Sequence, residues 1–181
     1  MSNPKARPIR LYLVSRLVGF LPESRLFGLK RRLYRLAGLA IGDGTRICSS
    51  VVFSTGNVRI GRGVWIGPGC RIMMPAGTIF QIGDNVDMAM EVLVVGGSHE
   101  IAGSEQRAGP ATRGDITIGR GAWIGARCVL LHGVEIGAGS ILATGSVAKG
   151  DIAADCVYAG NPAKPIRSLD VPTNSNTPDS R

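Results

Sequence analysis

The chain is poor in aromatic residues and histidine, has no closely spaced cysteine pair and contains no long apolar run. Aromatic residues make up 5% of its 181 residues, so a core must be built mainly from aliphatic and small side chains. Its four cysteines form no CxxC pair, which excludes the common zinc and redox motifs. Two histidines cannot supply a three-histidine zinc site. The apolar stretch 11–21 is interrupted by Arg16 and is too short to span a bilayer. We therefore expect a cytoplasmic protein with reduced thiols and no bound metal.

The positive charge is concentrated near the N-terminus. Residues 1–46 carry ten basic and two acidic side chains, which accounts for the whole net charge of +8. The remaining 135 residues carry 11 side chains of each sign and are neutral. A body that wraps nucleic acid would need a basic stripe of its own, so we expect no nucleic-acid partner.

Residues 1–40 have the apolar spacing of two short basic amphipathic helices. Apolar residues first recur at steps of three and four, at Ile9, Leu13, Leu17 and Phe20. After Pro22, with Ser24 as the expected N-cap, a second row follows at Leu26, Leu29, Leu33 and Leu36. Two roles remain open for this segment. Basic amphipathic helices bind anionic membrane surfaces, and the ends of repeat proteins need helical caps.

From Ile41 the period changes to six. Aliphatic residues begin successive blocks such as IGDGTR, IGRGVW and IGPGCR, and the blocks resume at Ile118 with IGRGAW, IGARCV and LLHGVE. A short strand followed by a turn, repeated every six residues, is typical of a triangular β-solenoid in which each aliphatic residue stacks on its counterpart about 18 residues further on. The 26 glycines suit its corners. We expect about five coils over residues 41–167, followed by a disordered polar tail at 168–181.

The fifth position of each block is small or apolar. Cys70 and Cys128 occupy it, and we expect both to be inert core thiols. A mechanism that passes through a cysteine needs an exposed thiolate, so this register argues against Cys128 as a nucleophile.

One long loop interrupts the repeat, between residues 98 and 115. It opens with His99, and a long loop in a compact repeat is commonly functional. Histidine titrates near neutral pH, so His99 is a candidate general base, with a space-filling surface histidine as the alternative. His132 lies in the LLHGVEIG turn, and we interpret it as a structural turn residue.

The stretch GGSHE (96–100), the loop, the following repeats and AGNPAKPIR (159–167) together resemble the hexapeptide-repeat acyltransferases. The similarity covers roughly residues 41–167 and is greatest to the sugar and exopolysaccharide O-acetyltransferases of the maltose/galactoside type. The resemblance implies a left-handed parallel β-helix, a homotrimer, acetyl-CoA as co-substrate and a sugar or glycan acceptor. It also implies that His99 deprotonates an acceptor hydroxyl, which attacks the thioester directly in a ternary complex. Glu100 could orient the imidazole, but we expect a solvated carboxylate.

The same resemblance assigns eight positions to the acetyl-CoA site. They are Trp123, Gly125, Ala126, Thr144, Lys149, Gly150, Lys164 and Arg167. Trp123 would lie near the pantetheine arm, with packing at a subunit contact as the alternative, and Ala126 and Thr144 would lie along that arm. Lys149 comes one position earlier than in relatives. Lys164 and Arg167 would meet the cofactor's phosphates.

Two other functions remain open at this stage. A serine or streptogramin-type antibiotic acetyltransferase would share the donor chemistry and differ in its acceptor. A non-enzymatic β-helix scaffold is the alternative from a different class, and it would not require His99, Trp123 or the GNPAK motif.

Overall fold

The structure, a computed structural model, describes residues 8–54 and 57–169. The expected tail therefore lies almost wholly outside the described residues, as do residues 1–7. The described part begins with two helices, α1 (Pro8–Gly19) and α2 (Phe27–Leu36), and then enters a stack of short strands. No helix among the described residues is long and apolar enough to cross a bilayer.

Three parallel sheets form the sides of the solenoid, and successive strands visit them in rotation. The first sheet contains β1 (Ala40–Ile41), β4 (Asn57–Ile60), β7 (Ile79–Ile82), β12 (Ile116–Ile118) and β15 (Glu135–Ile136). The second contains β2 (Arg46–Ile47), β5 (Trp65–Ile66), β8 (Asp87–Met88), β13 (Trp123–Ile124), β16 (Ile141–Leu142), β18 (Cys156–Gly160) and β19 (Ala163–Ser168). The third contains β3 (Val52–Phe53), β6 (Arg71–Met73), β9 (Leu93–Val95), β14 (Val129–Leu131) and β17 (Val147–Ala148). We call the corners between these sheets edge 1–2, edge 2–3 and edge 3–1.

The strand register confirms the expected stacking and explains the breaks in the six-residue period. Ile118 pairs with Ile136, a step of 18 residues, where the blocks are regular. The step is 19 residues from Ile41 to Ile60 and 22 from Ile60 to Ile82, where the sequence has extra residues. It doubles to 36 between Ile82 and Ile118, where the long insertion lies. Insertions are absorbed at edge 3–1 while the stacked aliphatic residues keep their register.

The core of the solenoid is aliphatic, as the composition requires. The fifth-position residues are all buried, namely Val51, Val64, Cys70, Val86, Val92, Ala122, Cys128, Val134 and Ser146. The expectation of inert core thiols is confirmed for burial at Cys70 and Cys128, both 0% exposed. Burial raises the pKa of Cys70 to about 11 and raises that of Cys128 as well.

Glycine is required where neighbouring coils approach closely. A Cβ on Gly119 would lie 2.5 Å from the backbone nitrogen of Ala138 in the next coil, where no side chain fits. Glycine also supplies the left-handed conformation at corners, as at Gly145 with φ 74°. These two constraints account for much of the high glycine content.

The two expected helices are present, but their predicted apolar rows do not pack on the solenoid. Leu11 and Val18 of α1 and Tyr34 of α2 are buried, whereas Ile9, Leu13, Leu17 and Phe20 are 52–87% exposed. Both faces of α1 are apolar, and the inner face is the one that covers the first coil. The cap role of the segment therefore uses residues that the spacing analysis did not select.

The predicted N-cap at Ser24 is wrong. The residue before α2 is Leu26, in a left-handed conformation with φ 56°, and no side chain caps the helix. The buried Lys30 holds the connection instead, because its Nζ donates to the carbonyls of Pro22 at 2.8 Å and Glu23 at 2.7 Å. Burial lowers the pKa of Lys30.

Candidate functional site

The long insertion at edge 3–1 is an antiparallel hairpin rather than an irregular loop. Its strands are β10 (Gly97–Ile101) and β11 (Ala108–Arg113), paired as Gly97 with Arg113 and His99 with Ala111. The register shifts between His99 and Ile101. Irregularities of this kind re-aim side chains and are common beside active sites. The hairpin therefore presents His99 at an edge of the solenoid on paired backbone.

His99 is exposed, and one nitrogen of its ring is fixed by the opposite strand. The Nδ1 atom lies 2.9 Å from the carbonyl oxygen of Gly109. A carbonyl can only accept, so Nδ1 carries the proton and the neutral ring keeps a lone pair on Nε2. This is the form that a general base needs. Glu100 is exposed and does not supply this contact.

A hollow of about 450 Å³ lies beside the imidazole. It is lined by Pro75, Gly97, Ser98, His99, Ala111, Thr112 and Arg113. His99 and Arg113 stand two positions apart along the hairpin pairing, which places them on the same face. The Arg113 Nη1 donates to the Ala76 carbonyl at 3.1 Å and leaves its other donors for a ligand.

Sequence reasoning missed Arg113 and Gly109. Gly109 allows the close approach that the histidine contact needs, because a Cβ there would lie 2.9 Å from the Cβ of Ala102. The only available signal was a glycine and an arginine in the same insertion as His99, and the pairing of the two strands is what gives them meaning.

A second hollow, of about 680 Å³, lies between α1 and the first coil. Its lining is serine and apolar side chains, with Arg16 as its one charged residue. No histidine, cysteine or carboxylate lines it, so it lacks a candidate base. We therefore take the smaller hollow at His99 as the candidate active site.

Four of the predicted acetyl-CoA residues cluster at the second sheet and edge 2–3. Trp123 lies on β13 and is 52% exposed. Ala126 and Thr144 occupy the same corner in neighbouring coils, where the Gly145 N–H donates to the Ala126 carbonyl at 2.8 Å. Gly125 is buried against Thr144, and a Cβ on it would lie 2.5 Å from the Thr144 nitrogen. The corner is a smooth backbone surface beside an exposed indole.

The other four predicted residues lie elsewhere. Lys149 and Gly150 are exposed at edge 3–1, one coil beyond His132. His132 is half-buried in the turn after β14, as expected for a turn residue. Lys164 and Arg167 are exposed on β19, the outer strand of the C-terminal hairpin. Within the described ranges no ion pair engages Lys149, Lys164 or Arg167, so these cations are available to an anionic ligand.

A single chain does not bring the whole predicted site together. His99 is on edge 3–1, whereas Ala126 and Thr144 are on edge 2–3. One side of the solenoid is six residues long, so the two edges are separated by about 20 Å at roughly 3.3 Å per residue. A ligand that contacts both sets must lie between two chains or extend around one.

The cysteine nearest to this corner cannot act as a nucleophile in this conformation. Cys128 is 0% exposed, and its Sγ donates to the carbonyl of Ala143 at 3.1 Å. Burial raises the pKa of its thiol, which disfavours the reactive thiolate.

The fold and the site define a β-helical transferase, and comparisons with known proteins agree. Residues 115–150 match the bacterial transferase hexapeptide (six repeats) family. A Schizosaccharomyces pombe protein named as an acetyltransferase is 31% identical over 146 residues, which are 78% of this chain and 70% of that protein. The galactoside O-acetyltransferase of Escherichia coli is 32% identical over 130 residues, which are 71% of this chain and 63% of the enzyme.

A solved structure extends the likeness to three dimensions. Galactoside acetyltransferase in complex with coenzyme A superposes with a TM-score of 0.78 at 26% identity, covering 90% of this chain and 80% of that chain. The likeness confirms the left-handed parallel β-helix expected from the resemblance. The chain belongs to the hexapeptide-repeat acetyltransferase family, and it is an enzyme of the acyltransferase class.

Proposed function

We propose that the protein is an acetyl-CoA-dependent O-acetyltransferase that acetylates a hydroxyl group of a sugar or polysaccharide precursor. The single observation that carries this proposal is the hydrogen bond from His99 Nδ1 to the Gly109 carbonyl, 2.9 Å long. It directs an unprotonated Nε2 away from the hairpin, beside a hollow large enough for one sugar ring. The relatives named as acetyltransferases support acetyl as the transferred group.

The proposed reaction is sequential. Nε2 of His99 takes the proton of the acceptor hydroxyl as the oxygen attacks the thioester carbonyl of acetyl-CoA. A new C–O bond forms, the C–S bond breaks, and coenzyme A leaves as the thiolate, which takes up the proton from the imidazolium. The Gly109 carbonyl stabilises the imidazolium because it accepts from Nδ1–H in both protonation states. Cys128 takes no part because it is buried.

The donor site combines the corner residues with the cationic ones. Trp123 and the backbone of Gly125, Ala126 and Thr144 would hold the pantetheine arm, since small residues permit its close approach. Lys149 and Gly150 would lie near the thioester end, at the edge that also carries His99. Lys164 and Arg167 would bind the phosphates through charge-assisted hydrogen bonds.

We propose a homotrimer in which neighbouring chains complete each site. His99 and Ala126 are on different edges of one chain, so a contact that unites them joins two different surfaces. Contacts of this heterologous kind close into rings. A ring of three is the arrangement implied by the resemblance to the maltose/galactoside enzymes.

The acceptor side is built around His99 and Arg113. A guanidinium on the same hairpin face as the base favours an acceptor that carries a carboxylate or phosphate. We place the enzyme in the cytoplasm, near the inner face of the membrane. We also propose the division into a helical segment 1–40, a catalytic β-helix 41–167 with its insertion 98–115, and a tail 168–181.

A thiol-release assay tests the proposal. The protein is incubated with acetyl-CoA and a panel of free, nucleotide-linked and lipid-linked sugars, with serine and a streptogramin as competing acceptor classes. We expect release only with glycan acceptors, together with a product heavier by one acetyl group. Turnover of serine or the streptogramin in preference to every glycan would replace the sugar acceptor by that alternative.

A binding measurement separates the enzyme from a scaffold. Coenzyme A should raise the melting temperature of the wild-type protein, because a ligand bound to the folded state stabilises it. The matched variant Lys164→Gln with Arg167→Gln should show a smaller shift. The absence of any shift at millimolar coenzyme A would contradict the donor site and favour a scaffold.

A further inference from the structure

Helix α1 is apolar on two opposite faces, and only one of them is used by the fold. At 100° per residue, Leu11, Val14 and Val18 fall on one side, and these residues pack on the solenoid core. The opposite side carries Ile9, Leu13, Leu17 and Phe20, which are 75%, 60%, 52% and 87% exposed. We call these four residues the outer face of α1. A helix that only capped the solenoid would need no second apolar face.

The outer face is part of a wider concentration of exposed apolar side chains. Eight of the fourteen exposed large hydrophobic residues among the described ones lie between residues 9 and 36. In α2 they include Leu29 and Leu36, which lie opposite the buried Lys30 and Tyr34. The remaining six are scattered singly over the solenoid and its hairpins.

Cations border the outer face. On the helical wheel Arg10 and Arg16 lie on either side of the row from Ile9 to Leu17, and both are exposed. Arg25 and Arg32 are exposed nearby in sequence. Among residues 8–54 and 57–169, no salt bridge involves these four arginines, whereas Arg31 and Arg35 of α2 pair with Asp43. The unpaired cations surround the apolar row rather than the solenoid body.

We propose that the outer face of α1 is a docking surface for an anionic phospholipid bilayer. The helix would lie in the plane of the interface, with its leucines and Phe20 among the acyl chains and its arginines at the headgroup phosphates. The hollow of about 680 Å³ opens beside this face, with Tyr12, Arg16 and Phe20 on its wall, and offers apolar volume next to the same membrane.

Charge favours the bilayer over a second copy of the chain. Two outer faces brought together would oppose Arg10 and Arg16 to their own counterparts, and like charges across a contact are unfavourable. An anionic headgroup layer neutralises the same arginines. The inference does not depend on the proposed acetyl transfer, since the face is far from His99 along the coil stack.

Vesicle sedimentation of the full chain tests the proposal. The probes are vesicles of phosphatidylcholine alone and vesicles that also contain phosphatidylglycerol, with no acetyl-CoA present. We expect binding to the phosphatidylglycerol vesicles only, and weakening by about tenfold or more when 0.5 M salt screens the charges. A wild-type protein that ignores the anionic vesicles would overturn the proposal, and so would binding indifferent to salt and lipid charge.

Matched variants identify the surface. Leu17→Glu should reduce binding to anionic vesicles by about tenfold or more, because it puts a carboxylate into the apolar row. Met90→Glu is the control, since Met90 is 53% exposed against 52% for Leu17 but lies on the solenoid. Equal losses in the two variants, or none in Leu17→Glu, would contradict the assignment.

A charge variant keeps the test decisive if Leu17→Glu fails to fold. Arg10→Gln with Arg16→Gln should weaken binding to anionic vesicles several-fold, whereas Arg71→Gln with Arg120→Gln, on the solenoid, should not. Light scattering is recorded for each variant. If Leu17→Glu changes the oligomer mass and leaves vesicle binding intact, the outer face contacts another copy and the membrane proposal is wrong.

Discussion

Oligomers assembled from two different inactive variants should regain activity, because each chain holds the two halves of the proposed site on different edges. The first variant is His99→Ala, which removes the base at edge 3–1. The second is Ala126→Phe, which places a bulky ring on the smooth corner at edge 2–3, where the Gly145 N–H already bonds the Ala126 carbonyl at 2.8 Å. Each variant alone should be close to inactive.

The size of the recovery follows from the arrangement of the edges. In a cyclic trimer, each site takes His99 from one chain and the corner from the next. Any mixed trimer then contains one site with both halves intact, so its turnover should be about one third of the wild-type value. A site shared across a twofold dimer would recover about one half, and a site within one chain would recover nothing.

The assay uses co-expression of the two variants with different affinity tags, tandem purification to remove unmixed oligomers, and thiol release from acetyl-CoA. Each variant purified in the same way from cells that express it with both tags is the control. Activity of the mixture no greater than that of the controls would refute the shared site. A fully active Ala126→Phe would refute the donor position.

Three further outcomes follow from individual contacts. Cys128→Ala should keep turnover within about twofold of wild type, and Cys128 should resist alkylation in the folded protein, because its raised pKa and burial exclude a thiolate mechanism. Arg113→Gln should raise the acceptor KM by about tenfold with a smaller change in kcat, and an unchanged KM would remove Arg113 from the acceptor site. In urea unfolding, Gly119→Ala should destabilise by about 1–3 kcal/mol because its Cβ meets Ala138, whereas Gly28→Ala, in open space on α2, should stabilise by about 0.5–1 kcal/mol.

The solenoid could be predicted from the sequence because its constraints are local. Each coil repeats one requirement, an aliphatic residue followed by a turn, and the period survives the 19- and 22-residue steps. The helices were predicted in the right place, but the packing face of α1 was not. Periodicity identifies apolar rows, and α1 has two of them, so only the contact with the first coil decides which row is buried.

The site could be predicted only in part. His99 was recognised because it begins the one long break in a regular pattern. Its partner Gly109 and the neighbouring Arg113 depend on how the insertion folds back on itself, and strand pairing with a register shift leaves no signal in the sequence. The separation of His99 from Ala126 is likewise a property of the three-sided stack, because residues 27 positions apart fall on different edges.

The rate of acetyl transfer by His99→Ala tests the central claim most directly. With acetyl-CoA and the glycan acceptor both saturating, we expect a fall of about 10²- to 10⁴-fold relative to wild type, while the thermal shift produced by coenzyme A stays unchanged. That result would place the loss in proton transfer rather than in donor binding. If His99→Ala kept most of its activity while Cys128→Ala lost it, the proposed base and the sequential mechanism would both be wrong.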